Sequence, residues 1–216
     1  MPITSEYLIV GEGGGDSALI KYLCENRQIT YFQIEDSGGS SKFESYITGL
    51  RSRRGFDKLK LLVIVADCDD GADVAFNNIR RQLRNADLPY PNGPRSFARR
   101  PDRPATFVIM LPFNGNQSLT GSIETLLLPA AKAHHPNHIW CLEQWRDCVD
   151  AQAQSAAHRD KMQLRALLAA IHPSDPNISL QWALRPQADL IPLSHQSLDA
   201  LADVLKQIPQ AFETSS

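Results

Sequence analysis

The sequence predicts an α/β fold, with a mostly parallel central sheet of about four strands flanked by helices and a C-terminal helical extension. Three observations predict it. Between residues 7 and 111, short apolar or β-branched runs alternate with stretches of helical periodicity. The strongest run, KLKLLVIVA (58–66), is apolar almost without a break, as expected of a strand buried on both faces of a parallel sheet. Beyond about residue 135 the strand signals stop and helical patterns continue.

The elements follow in order. YLIV (7–10) is a short strand ended by glycines. Residues 16–27 carry Ala18, Leu19, Tyr22 and Leu23 at helical spacing, with Asp16 as N-cap. ITYFQI (29–34) is β-branched and aromatic, hence a strand. SGGSS (37–41) breaks the chain before a short helix over 43–50. After the strand at 58–66, residues 72–86 predict a third helix with Val74, Phe76, Ile79 and Leu83 turned inward. DLPYPNGPRSFARRPDRPA (87–105) holds five prolines and is a loop. ATFVIML (105–111) is the fourth strand. Residues 122–133, 139–170 (broken once) and 197–208 are helices, and 172–179 is a turn-rich link. A composition shift near residue 135 divides an α/β core, 1–135, from a helical extension, 136–216, packed on it.

A chain of 216 residues with 43% hydrophobic content can bury a substantial core. Its net charge of −2 creates no global field toward nucleic acid or membrane, so a nucleic-acid contact must be a local patch. No apolar run approaches the ~20 residues of a membrane helix. MPITSEYLIVGEG has no basic n-region and no long apolar stretch. The expectation is no membrane partner, no signal peptide and a cytoplasmic location. The four cysteines form no CxxC pair and read as reduced thiols of that compartment. His134, His135 and His138 lack cysteine partners at zinc spacing and read as a loop ending a helix. Trp140, Trp145 and Trp182 read as packing residues.

Chemistry concentrates in three acidic motifs. GEGGGD (11–16) follows the first strand, ADCDD (66–70) follows the strongest strand, and SIE (122–124) opens a helix. The carboxyl ends of the strands line the ligand crevice of an open parallel sheet, so the first two motifs should meet there. Converging carboxylates repel one another unless a cation neutralises them, and all-oxygen ligands select Mg²⁺, Mn²⁺ or Ca²⁺ over Zn²⁺. Taken singly, each motif also has a plain reading: a flexible turn, an Asp-capped helix, a Glu in a first helical turn. GEGGGD approaches a dinucleotide fingerprint, but Asp16 stands where its last glycine belongs, and an acid there disfavours a pyrophosphate. The joint order of the motifs is what points to a site.

That order resembles the Toprim domain of topoisomerases, primases, recombination mediators and OLD-family nucleases. Toprim proteins place a Glu after the first strand and DxD after a later one, matched here by Glu12 and by Asp67 and Asp69. The OLD branch adds an Asp four residues after that Glu, matched by Asp16, and a Ser-x-Glu motif, matched by Ser122 and Glu124. A later Lys completes that branch's site; Lys161 occupies the corresponding order along the chain, with Arg159 and Arg165 as neighbours. The chain is also similar to small stand-alone Toprim-like bacterial proteins, through VADCDDGADVAFNNIRRQL and LPFNGNQSLTGSIETLLL. Two features depart from the OLD pattern: no ATPase segment accompanies the motifs, and Val65 stands where OLD sites tend to carry a small polar residue.

The resemblance implies a Toprim-like fold and a Mg²⁺ site, with Mn²⁺ as the alternative, ligated by Glu12, Asp16, Asp67, Asp69 and Glu124. Glu12 and Lys161 would act catalytically and Ser122 would support a ligand or phosphate oxygen. The implied function is phosphodiester cleavage in a nucleic-acid substrate, with a partner protein supplying ATPase or DNA-binding function. The alternative is a non-catalytic interaction protein whose acidic site is vestigial or holds one cation. The sequence assigns no oligomeric state. Arg80, Arg81, Arg84, Arg95, Arg99, Arg100 and Arg103 form a basic cluster in an acidic chain. It reads equally as a phosphate-binding face, with Arg99 and Arg100 as phosphate supports, or as a solvated loop paired with local acids.

Overall fold

Five segments pair into one sheet: Tyr7–Gly11 (β1), Phe32–Asp36 (β2), Leu61–Asp67 (β3), Phe97–Ala98 (β4) and Ala105–Leu111 (β5). Their order is β2-β1-β3-β5-β4, and only the two-residue β4 runs antiparallel. The computed structural model describes residues 1–69, 71–115, 117–149, 154–172 and 174–214. The helices are Gly14–Asn26 (α1), Ser40–Gly49 (α2), Ala72–Asn85 (α3), Ile123–His134 (α4), Ile139–Cys148 (α5), Ala156–Ile171 (α6), the single turn Leu180–Ala183 (α7) and Asp199–Thr214 (α8). Phe113–Asn114 (β6) and Gln117–Ser118 (β7) form a small separate hairpin. The fold is the α/β architecture that the sequence predicts, with β4 and α7 added.

Burial on both faces of β3 explains its apolar run. Leu61, Val63 and Val65 join one apolar cluster with Leu19 of α1, Leu127 of α4, Leu164 of α6 and Leu205 of α8. Leu62, Ile64 and Ala66 join a second with Phe43 and Ile47 of α2 and Phe76, Ile79 and Leu83 of α3. Each such buried Leu, Ile or Phe contributes about 1.5–3 kcal/mol relative to exposure, so the two clusters hold helices on both sheet faces. α6 and α8 pack onto the same cluster as α1. Two ties reinforce this: Lys132 Nζ donates to Gln163 Oε1 at 3.0 Å, and Arg27 pairs with Asp199 at 2.6 Å.

Several local expectations change. Val74 is 68% exposed and lies on the solvent side of α3, leaving Phe76, Ile79 and Leu83 as its packing face. Trp140 is 69% exposed rather than packed, whereas Trp145 lies against the first cluster. β2 begins three residues later than expected, at Phe32, because the turn after α1 uses Gln28 in a left-handed conformation and Ile29 as a buried anchor. The break in the stretch 139–170 falls between α5 and α6, and residues 150–153 lie outside the described residues. All four cysteines are free. Among the described residues no helix is long and apolar enough to cross a membrane.

Candidate functional site

Parallel strands deliver the acids to one end of the sheet. β1 ends at Gly11, which allows the first turn of α1 to fold back closely: a Cβ at Gly11 would lie 2.5 Å from Ser17 Oγ and 2.7 Å from Ser17 N. That approach presents Glu12 and Asp16 together. β3 ends at Asp67, beside the end of β1. Asp69 then takes a left-handed φ of 45°, which Asp tolerates better than most residues. Its carbonyl accepts a hydrogen bond from Gly121 N–H at 2.8 Å. The bond draws the start of α4 over the DxD turn. Asp67 Oδ1 accepts from Ile123 N–H at 2.8 Å, and Ser122 Oγ donates to Glu124 Oε2 at 2.7 Å.

The resulting cavity of about 310 Å³ is lined by Asp16, Asp67 and Glu124 together with Lys161, Arg165 and Gln181. Lys161 Nζ lies 3.0 Å from Asp69 Oδ1 and 4.0 Å from Asp67 Oδ2. Chain order alone could only nominate Lys161; α6 brings it to the acids. Arg165 Nη1 donates to Ile178 O at 3.2 Å, tying α6 to the segment that ends in α7. Gln181 and its neighbour Ser179 had no sequence signal, because α7 is one turn long and reaches the site only by packing.

Electrostatics marks the same cluster. Burial pushes the Asp67 carboxyl up to about 9, with Asp16 and Glu124 adding repulsion and Lys161 opposing it. Burial pushes Asp16 up to about 7; the Gly13 N–H bonded to its Oδ2 at 2.8 Å opposes the rise, while Glu12 and Glu124 add to it. Glu12 is raised by burial and by Asp69. Lys161 pays a burial penalty, but its hydrogen bond to Asp69 and the nearby negative field outweigh it, so its pKa is raised. Asp16 Oδ1 is buried and has no hydrogen-bond partner among the described residues. Such an atom needs a donor or a cation. The all-oxygen set around it fits a hard divalent ion in chemistry. In this geometry, however, no three potential ligand side chains among the described residues converge tightly enough for one ion, and Lys161 supplies the positive charge.

Other groups stand apart. Cys68, between the two aspartates, is fully buried, and burial followed by Asp67 and Asp69 pushes its thiol up to about 12, so it is no nucleophile. His134 and His135 bond the backbone carbonyls of Asp189 and Leu190 at 3.1 and 3.0 Å. The structure does not bring Arg99 and Arg100, expected as phosphate supports, to the acids. β4 aligns Ala98 with Thr106, near the start of β5, so the residues after it stand at the amino ends of the parallel strands, opposite the acids. Arg99 donates to Phe212 O at 2.5 Å and stacks 4.1 Å from the Phe212 ring. Arg100 and Arg103 pair with Asp87 at 2.7 and 2.5 Å and hold its carboxyl down at about 2. Arg80 and Arg84 lie over the Tyr90 ring. Arg95 stands apart from them, 4.2 Å from the Phe113 ring.

Fold and site together define an α/β protein with a buried carboxylate cluster at the carboxyl ends of its parallel strands, faced by a lysine from a helical layer. The chain belongs to the family described as "Protein of unknown function (DUF3226)", whose model matches residues 5–210. None of the curated proteins compared matches it. A solved structure of the C-terminal region of the OLD protein of Xanthomonas campestris pv. campestris is similar over 98% of this chain and 99% of that one, at 16% identity and a TM-score of 0.43.

Proposed function

We propose that this chain is a Toprim-type, Mg²⁺-dependent nucleic-acid-processing protein that cleaves phosphodiesters, with Mn²⁺ able to replace Mg²⁺. The observation that carries the reading is the buried Asp16 Oδ1, unpartnered among the described residues, amid Glu12, Asp67 and Glu124, in a cavity that also holds Lys161. Glu12, Asp16, Asp67, Asp69 and Glu124 would hold the cation, after carboxylate rotation and withdrawal of Lys161 from Asp69. When bound, divalent ions neutralise charge on a phosphodiester and make water a better nucleophile. Ser122 fixes the Glu124 carboxylate by its hydrogen bond. Glu12 would accept the proton of the attacking water. Lys161, released from Asp69, meets the charge that grows on the phosphate oxygens. A partner protein would supply ATPase or DNA-binding function.

A second reading has its own support. Lys161 already neutralises Asp69 and Asp67, so the cluster is partly self-compensated, as suits a non-catalytic interaction protein. Nuclease assays on single- and double-stranded DNA and RNA with Mg²⁺ or Mn²⁺ separate the two. The proposal expects cleavage that Asp67→Ala abolishes; cleavage equal in the wild type and Asp67→Ala, or none on any substrate, favours the second reading.

A further inference from the structure

β2 is an edge strand, and a cavity of about 520 Å³ opens against it. Gln181 lines both this cavity and the acidic one, so the two adjoin. The volume lies within the ~300–1,000 Å³ of ordinary small-molecule pockets. Its walls include Tyr22, Ile34 and Tyr46, with Lys21 and Asp36 among its charged residues. Glu35, also in the wall, is fully engaged. Arg53 donates to both its oxygens at 2.7 Å, Gln33 donates at 2.5 Å, and Tyr46 O–H bonds it as well. Asp36 differs. Its Oδ1 accepts from Gly38 N–H at 2.7 Å, while its Oδ2 lies 3.3 Å from where a Cβ on Gly14 would stand. Gly14 belongs to the acidic cavity, so the available Asp36 oxygen stands at the junction of the two. Lys21 is exposed and makes no ion pair among the described residues.

A carboxylate at the end of the second strand of a β-α-β unit, beside the glycine-rich turn after the first strand, is placed to accept hydrogen bonds from ribose hydroxyls. We propose that the second cavity binds the nucleoside of a ribonucleotide whose phosphate lies at the acidic site. Asp36 accepts from the ribose hydroxyls, Tyr22 and Ile34 lie against the base, and Lys21 meets the next phosphate along a strand. The substrate class is then ribonucleotide, free or within RNA. The placement of the phosphate rests on the proposed function; the ribose site rests on Asp36 and its cavity.

The test is fluorescence anisotropy of the full chain in Ca²⁺ with 5′-labelled pentaadenylate and its 2′-deoxy counterpart, with AMP and dAMP as unlabelled competitors. The expected result is about tenfold tighter binding of the ribose form, the scale of one hydrogen bond to a charged group. Asp36→Asn should bring the ratio to about one. Lys21→Ala, an exposed change, should lower the salt slope for the pentamer by about 0.7. Discrimination by AMP over dAMP identifies a free ribonucleotide, and discrimination confined to the pentamer identifies RNA. A wild-type ratio near one, or a ratio that Asp36→Asn leaves intact in a chain with a wild-type melting profile, overturns the inference. Mn²⁺ binding followed by electron paramagnetic resonance, without nucleotide, reports the acidic site alone. Mn²⁺ bound without ribose discrimination removes only this inference, and discrimination without Mn²⁺ binding removes only the metal reading.

Discussion

Asp16→Asn should stabilise the protein in the absence of divalent ions, and by an amount that grows with pH. Asp16 is held at about 7 in the fold against an ordinary 3.8. A carboxyl raised by folding binds its proton more tightly in the native state. Its stabilising effect is therefore complete below about pH 3.8 and is lost as pH rises to about 7, where the folded carboxylate must ionise while buried and, secondarily, against Glu12 and Glu124. At 1.36 kcal/mol per pH unit that interval is worth about 4 kcal/mol. Asp67 shares the same field, so we expect a net gain of about 2–4 kcal/mol at pH 8. Asparagine keeps an oxygen for the Gly13 N–H and turns an amide donor toward the neighbouring acids where Asp16 Oδ1 has no partner among the described residues. Thermal melts in EDTA at pH 4, 6 and 8 should show the two proteins converging at pH 4 and the variant about 5–10 °C higher at pH 8. A variant that melts below the wild type at pH 8, or by the same margin at every pH, would refute the argument from burial and charge crowding.

Four further outcomes follow from the same geometry. Mg²⁺ at 100 times its Kd should stabilise the wild type by about 2.7 kcal/mol, and Asp67→Asn or Glu124→Gln should lose that gain in paired melts. Lys161→Met should change stability by less than about 1 kcal/mol, because its ion pair with Asp69 is solvent-screened, yet lower any cleavage rate by about a hundredfold or more. Gly11→Ala should cost about 1–3 kcal/mol in denaturant titrations, since its Cβ would meet Ser17, and should also reduce the Mg²⁺-induced gain by displacing Asp16. Arg99→Ala should cost about 1 kcal/mol by freeing α8, with the salt dependence of nucleic-acid binding unchanged; a flatter slope would restore its phosphate role.

By itself the sequence determined what local pattern can determine. Continuous apolar runs defined β1, β3 and β5, period-3.6 hydrophobicity defined most helices, and the unbroken run 61–66 foretold burial on both faces. Glu12, Asp67 and Asp69 were legible because strand ends in a parallel sheet share one crevice, and Asp16 because a helix follows the first of them. Packing alone decided the rest. Val74 and Trp140 fit a helical pattern whether they face the core or solvent, and only the docked helix chooses. An arginine-rich loop looks the same beside a phosphate as beside Asp87; the pairing of β4 with β5 sent Arg99 and Arg100 to the far end of the sheet. Lys161, Gln181 and the Asp36 cavity depend on where α6, α7 and an open edge strand come to rest. Those positions are fixed by contacts between residues far apart in the chain, whose energies belong to the assembled core and to no single stretch of sequence.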